Sequence, residues 1–576
     1  MKNILIAIRS IFKKGRHNVM KIVSLGIGLA VGLVLIAKVY FEQSYDDFYP
    51  DRDRVYQVWA KYQQNGGELK DYPQTSGGIA PTMQQQIPEI ETVTRYTSFG
   101  DWTFTMTDTK MKYSGRCIIA DSCFFDILPR PMLIGNAKEV LSTPMYVLIS
   151  SRIAKNIGGD VIGKNFTVDN SPGRTMTIGG VFEEVPENSH SRYDVIVSMA
   201  SAGRFMWEGS PTNMLGNDRY ISYVKLHKGV NPLALEEQVR TFVNSYFPPE
   251  EQQKVGLSID FSFHKLDNLH KELPQVKRMT WILSLLAFAL IFTAVMNYIL
   301  IVISSIVNRS KEVAVHKCYG ASENNIHGMM FGEALVHIVL SLILALLLIL
   351  AFRGTVEELL ATSLDSLLLS NGSLVLLGIC ILVFFVSGFM PGSLYARIPV
   401  ASAFRNYREN KRIWKKALLL VQFVATGFLV TMLVFVARQY TFMVNDRPGY
   451  AYENLAYCGL AGVDSTSRAK ILDEVMRLPG VAAATTVYQL PFEHASGNNI
   501  LLPGGTQELF NIADLYWVGN GYLDMMEIPV IQGRSFTENV TNSREVMVDR
   551  RFVEKMKLVA GWTDDVAFVA AVPSVA

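Results

Sequence analysis

The chain predicts an α-helical, multi-pass membrane protein with five spans and two extracytoplasmic mixed α/β domains, internally duplicated, its second half cut short. Three observations predict this: five long apolar runs, an alternation of basic and acidic loops between them, and sequence blocks that recur in the same order. Of the 576 residues, 49% are hydrophobic and only 18% charged, a lower charge content than a soluble globular chain carries.

A helix crosses a bilayer with about 20 apolar residues. Residues 22–41 (IVSLGIGLAVGLVLIAKVYF), 279–304 (MTWILSLLAFALIFTAVMNYILIVIS), 332–352, 373–391 and 417–437 meet that length. The first run is a retained span and not a cleaved signal peptide, because it lacks a small-residue cleavage site and continues into Tyr40, Phe41 and acidic residues. Lys38, near its outer end, is expected to snorkel to the headgroups. Asn297, deep in the second span, is expected to make an interhelical hydrogen bond.

Loop charges orient the spans. Residues 1–21 carry six Lys/Arg and no acid, and residues 392–416 carry seven Lys/Arg and one acid. Arg309, Lys311 and Lys317 lie between the second and third runs, whereas the loop 353–372 has one Arg and three acids. Cytoplasmic loops hold the excess of Lys and Arg. Residues 1–21, 305–331 and 392–416 are therefore assigned to the cytoplasm, and 42–278, 353–372 and 438–576 to the outside. Residues 2–16 place Ile4, Leu5, Ile8, Ile11 and Phe12 at helical spacing among basic residues, as in a helix lying in the interface plane. Residues 400–414 repeat that arrangement with Val400, Phe404, Tyr407 and Trp414.

The recurrences are several. AIRS (7–10) matches AFRN (403–406), FFDILPRPMLIG (124–135) matches YLDMMEIPVIQG (522–533), and VLISSRIAKNI (147–157) matches VMVDRRFVEKM (546–556). Each copy of the last block reads as a short strand leading into a helix. The first copy continues as GGDVIGKNFTV (158–168), the second as GWTDDV (561–566). The expectation is a duplicated protein whose second half lacks three further spans.

Several motifs invite chemistry. GGDVIGKN (158–165) approaches a phosphate-binding loop, but Asn165 replaces the Ser/Thr that would hold magnesium, and the loop precedes the strand NFTV instead of following one. VPENSHSRYD (185–194) gathers Glu187, Ser189, His190, Ser191 and Asp194. It lacks a nucleophile elbow and reads as a structural turn after the strand TMTIGGVF. The nine histidines show no HExxH or paired-ligand spacing, so no metal site is expected; with no convincing catalytic constellation, no catalytic residue or cofactor is expected either. His337 reads as a packed residue of the third span. Cys117 and Cys123 read as unpaired thiols, with pairing in an oxidising compartment as the alternative. Neither outer domain is basic enough to suggest nucleic acid.

Between the second and third runs, RSKEVAVHKCY (309–319) can form about three helical turns. Ala314, Val315, Cys318 and Tyr319 share one stripe, and Glu312 and His316 stand four apart. Gly320 is placed to end this helix and Ser322 to cap the next.

The stretch KEVAVHKCYGASENNIHGMMFGEALV (311–336) resembles the signature loop of FtsX-like ABC transporter permeases of the MacB type. The family pattern falls on Glu312, Val313-Ala314-Val315, His316-Lys317, Gly320-Ala321-Ser322 and Glu333. His316 stands where the family usually has arginine, which makes the charge there titratable. IGKNFTV and IGGVFEEVPENSHSRYD, within 162–194, resemble the family's periplasmic core domain, and NDRPGYAYENL (445–455) resembles the opening of its second copy.

The resemblance implies a permease subunit of the inner membrane with its N-terminus cytoplasmic and its large domains periplasmic. It implies no catalytic site and ATP hydrolysis on a separate subunit of the MacB or LolD type. Glu312, Val315, His316, Lys317, Gly320, Ala321, Ser322 and Glu333 would form the ATPase-coupling loop. A second permease, as homodimer or heterodimer, and a periplasmic adaptor are implied partners, beside the lipid bilayer. The work would be export or release of a peptide, drug or lipoprotein. The alternative is a regulatory scaffold that activates a cell-wall hydrolase through its outer domains.

Overall fold

A computed structural model of the chain describes residues 17–64, 69–168, 171–216, 219–368, 372–396, 413–445, 449–460, 463–491, 496–501, 508–536 and 546–560. The expected amphipathic segment 2–16, most of 400–414, and residues 561–576 lie outside these. Two compact units, 1–431 and 432–576, are taken separately.

The long helices are α1 (Asn18–Gln43), α2 (Pro274–Ser304), α4 (Glu323–Ala351), α5 (Ser373–Ala396) and α6 (Ile413–Asn445), with the short α3 (Ile306–Cys318) between α2 and α4. Among the described residues, five helices are long and apolar enough to cross a membrane. Each holds one of the five apolar runs, whole in four cases and short of Phe352, its C-cap, in α4. Each also begins before its run or ends after it, because helical hydrogen bonding does not depend on side-chain polarity. Pro274 opens α2, where a missing N–H costs nothing.

In the first unit α1 packs between α2 and α4, around Leu25, Leu29, Leu33, Ala294, Tyr298, Ile299 and Ile338. Glycines bring these helices together. A Cβ at Gly28 would collide with Ala294, one at Gly32 with Ile291, and one at Gly26 would lie 2.9 Å from Leu344 Cδ2. Two polar residues differ from expectation. Asn297 lies on the exposed side of α2, and the interhelical hydrogen bond is made by the next residue, between Tyr298 Oη and His337 Nδ1 at 3.1 Å. Lys38 does not snorkel. It is 7% exposed and 2.7 Å from Glu42 on the next turn, because partners from other segments meet it there.

The residues between α1 and α2 form a mixed sheet from β1 (Val55–Gln64), β2 (Lys70–Tyr72), β3 (Ile90–Met106), β4 (Lys112–Ala120), β5 (Met132–Ile134), β6 (Tyr146–Ser150), β7 (Asn165–Val168), β8 (Ser171–Phe182), β9 (Val195–Ser198), β10 (Ile221–Leu226) and β11 (Leu257–Lys265). The strand order is β11-β1-β10-β3-β4-β9-β6-β8-β5, with β2 on β1 and β7 joining β3 to β8. Only β4–β9 and β6–β8 run parallel among the described pairs. β1 pairs with β11 from Tyr56–Lys265 to Gln64–Leu257, so the domain leaves α1 and returns to α2 through neighbouring strands.

Three cores fill it. Helices Ile79–Gln86 and Glu236–Tyr246 bury Ile79, Met83, Phe242 and Val243 against Val58, Val93 and Val224. Phe104, Phe166, Met176 and Ile178 fill the second. Tyr49, Tyr96, Phe124, Phe182, Tyr193 and Tyr223 fill the third. Burying each such side chain contributes about 1.5–3 kcal/mol. VLISSRIAKNI forms β6 and the helix Ser151–Ile157, as its pattern predicts. Cys117 and Cys123 are free thiols, and burial pushes both above the ordinary thiol range.

In the second unit Asp464 caps the helix Ser465–Met476, accepting from Ser467 N at 3.0 Å. Ser496–Leu501 and Glu508–Leu515 pair as an antiparallel ribbon. The helix Arg550–Ala560 follows residues 546–549, which form no strand. The expected strand is thus missing, since no neighbour offers it a ladder among the described residues. The quoted blocks share local geometry elsewhere. Phe124–Ile127 and Tyr522–Met525 are both single helical turns, and Gly135 and Gly533 have φ of 85° and 90°.

Candidate functional site

α3 is joined to α2 by Ser305 alone, whose hydroxyl donates to Val302 O at 2.6 Å. At its other end Gly320 adopts φ 85°, open to glycine without the steric cost of a Cβ. Gly320 N donates to Lys317 O and Ala321 N to His316 O, both at 3.0 Å, so the last carbonyls of α3 are satisfied. Ser322 then caps α4, its hydroxyl accepting from Asn325 N at 3.4 Å. His316 and Lys317 occupy the last turn of α3, and Glu323 the first turn of α4. The charges of Lys317 and Glu323 complement the dipoles at their helix ends. Local rules therefore build the turn as the sequence predicts.

The face of α3 differs from the expected stripe. Ser310, Val313 and Ala314 are buried, and Val313 and Ala314 join the cluster containing Val302, Ile303, Ile326 and Met330. Val315 is 43% and Tyr319 89% exposed, and Cys318 is exposed too. Both faces carry apolar residues, so the pattern alone does not choose; the crevice between α2 and α4 takes the smaller side chains of Ser310 and Ala314. The outcome is an amphipathic helix with one apolar side built into the spans and another left open.

Glu312, Val315, His316, Lys317, Gly320, Ala321 and Ser322 thus share one continuous turn of chain. Glu333 stands apart. It is 6% exposed inside α4, and its carboxylate lies 3.6 Å from Lys21 Nζ on α1. Lys21, 1% exposed, also donates to Asn18 Oδ1 at 3.2 Å. A glutamate there holds α1 against α4; Lys21 is visible in the sequence as the last cation before the first apolar run, but nothing local names Glu333 as its partner.

The other tempting motifs are structural. Gly158, Gly159 and Gly163 have positive φ in a loop between the helix Ser151–Ile157 and β7, the reverse of a nucleotide loop. In 185–194, His190 Nδ1 lies 2.8 Å from Asp46 Oδ2 and Nε2 2.5 Å from Tyr223 Oη. Ser191 Oγ donates to Tyr96 Oη at 2.8 Å, a phenol that burial pushes up to about 12. Both imidazole nitrogens are occupied, and no serine hydroxyl faces them.

A model of the MacB-like periplasmic core domain matches residues 20–242, and a model of the FtsX-like permease C-terminal region matches 284–400. The first spans α1 and most of the sheet; the second spans most of α2, then α3, α4 and α5. A domain of a permease protein from Porphyromonas gingivalis is 33% identical over 38% of this chain and 91% of its own, with a TM-score of 0.35. The chain belongs to the FtsX-like, MacB-type permease family. The extracellular domain of the noncanonic ABC-type transporter YknZ from Gram-positive bacteria is 11% identical over 36% of this permease and 98% of its own chain, with a TM-score of 0.26. No curated protein matches the permease.

Proposed function

We propose that this chain is the transmembrane subunit of an ABC transporter, in which a separate cytoplasmic ATPase docks on the open side of α3. The observation that carries the proposal is the division of α3: Val313 and Ala314 packed with the spans, Val315, Cys318 and Tyr319 uncovered. A partner pressing on the open side would move α2 and α4 together, because Ser305 and the Gly320–Ser322 turn leave little slack. The coupling residues are Glu312, Val315, His316, Lys317, Gly320, Ala321 and Ser322, while Glu333 acts from within by holding α1.

The excess of Lys and Arg in residues 1–21 and 392–416 supports a cytoplasmic N-terminus and an outer sheet domain in the inner membrane. The shared geometry at Gly135 and Gly533 supports an internal duplication of the outer domains. The transporter would do conformational work on a peptide, drug or lipoprotein outside the membrane, with a second permease subunit and a periplasmic adaptor.

The test is capture of the tagged chain from its native membrane, with Val315→Asp, Tyr319→Asp, Glu312→Lys and Gly320→Pro as variants. Tyr319 and Val315 are exposed, so their substitution leaves folding intact. An ATPase subunit held by the wild type and lost in the α3 variants is the expected result. Retention of that ATPase by Tyr319→Asp and Val315→Asp together would overturn the docking site.

A further inference from the structure

On the extracytoplasmic side, three segments distant in sequence meet in one buried polar cluster. Lys38 and Glu42, one turn apart at the end of α1, are 7% and 5% exposed and 2.7 Å apart. Lys38 Nζ also donates to Thr362 Oγ1 at 2.7 Å, in the loop between α4 and α5. It lies 5.0 Å from the centre of the Phe41 ring. The other oxygen of Glu42 lies 2.6 Å from His270 Nε2, in the turn before α2. The His270 ring stacks on Tyr45, with centroids 3.4 Å apart and planes within 7°.

A second set of bonds holds the sheet domain to the same place. Glu187 accepts from Ser363 N at 3.0 Å, and Asn188 Nδ2 donates to Ser44 O at 2.7 Å. Asp46, fully buried, accepts from Ser189 Oγ and His190 N, both at 3.2 Å.

Burying an ion pair is a costly route to stability, since each charge loses its water and the attraction seldom repays both losses. A pair that is nevertheless buried fixes a geometry, because removing any member leaves a charge without a partner. Here each charge is completed from a different segment: Lys38 by the α4–α5 loop, Glu42 by the turn before α2. We propose that Lys38 and Glu42 are positioning residues of a three-way joint that locks the sheet domain to the outer ends of α1 and α2 and to the α4–α5 loop. That loop is then a strut, and a tilt of the spans reaches the domain as rigid-body motion instead of being lost in linkers. The joint rests on the permease reading only for the source of the motion.

The test is hydrogen–deuterium exchange of the full chain in lipid nanodiscs, with no ATPase present, so that it judges the joint separately from the docking capture. Peptides covering 44–50, 266–273 and 358–364 are compared between wild type and Thr362→Val, which keeps side-chain shape and removes one hydroxyl. Glu42→Gln and Lys38→Met complete the set. Loss of one net hydrogen bond corresponds to about fivefold faster exchange. Thr362→Val is expected to give that increase in 266–273 as well as in its own loop, and Glu42→Gln in 358–364 as well as in 266–273. Effects of Thr362→Val confined to 358–364, with those of Glu42→Gln confined to 266–273, would overturn the joint.

Discussion

Gly320 and Ser322 meet two separate backbone demands within three residues. At φ 85° a side chain is strained by about 1–2 kcal/mol, although a Cβ at Gly320 would meet no neighbour. Removing the Ser322 cap costs about 1 kcal/mol. Gly320→Ala and Ser322→Ala are each expected to speed amide exchange across 316–326 and to leave the sheet domain unchanged. His264 makes a different demand. It stacks on Trp59 with ring centroids 4.1 Å apart, and burial lowers its pKa from 6.5. The unfolded chain then binds the proton first as pH falls, so stability drops from about pH 6.5 downward until the folded state also protonates. His264→Gln should flatten that part of the profile in denaturant titrations of the full chain.

Helix α1 packs closely on both of its neighbours. Gly28 and Gly32 stand against Ala294 and Ile291 of α2, and Gly26 against Leu344 of α4. Overpacking such a contact costs about 1–3 kcal/mol. Gly28→Val is expected to lower the melting temperature and weaken α1–α2 crosslinking, whereas Gly378→Val on α5, where a Cβ meets nothing, should do neither. The glycines are visible in the run LGIGLAVG, but which neighbour each one admits depends on helices hundreds of residues away. The face chosen by α3 has the same origin. Val313 and Ala314, or Val315 and Tyr319, could each have packed inward, and the surrounding spans decide between them.

For the molecule as a whole, the sheet domain hangs from the first span and must return beside it. Its first strand is pinned at the start by charges. Asp51 lies 2.6 Å from Lys225 of β10, and Arg54 2.5 Å from Glu91 of β3. The hydrogen bond from Lys225, then that from Arg54, holds the Asp51 carboxyl below its usual 3.8. The hydrogen bond from Arg54 holds Glu91 below 4.5. For carboxyls lowered by folding, the contribution is complete above the unfolded values and disappears as pH falls through the folded ones. Acid should therefore loosen the closure of β1 on β3 and β10 from about pH 4.5 downward. Arg54→Met is expected to lower stability at neutral pH and to flatten that acid limb in denaturant titrations.

The spans, their order, the polar turn at Gly320, the cap at Ser322 and the strands NFTV and TMTIGGVF were legible because each depends on residues within a few positions. Hydrophobic length, cap chemistry and period-two alternation need no distant partner. The fate of Lys38 was not legible, since its hydrogen-bond partner Thr362 lies 324 residues away. Nor was the partnership of Lys21 with Glu333, the pairing of β1 with β11, or the inward face of α3. Local sequence specified the spans, the caps and most strands through local sterics and hydrophobic transfer, but not 546–549, which forms no strand without a neighbouring ladder. Tertiary structure alone decided which charges are buried together and which apolar face stays open, because burial and pairing are properties of neighbours in space.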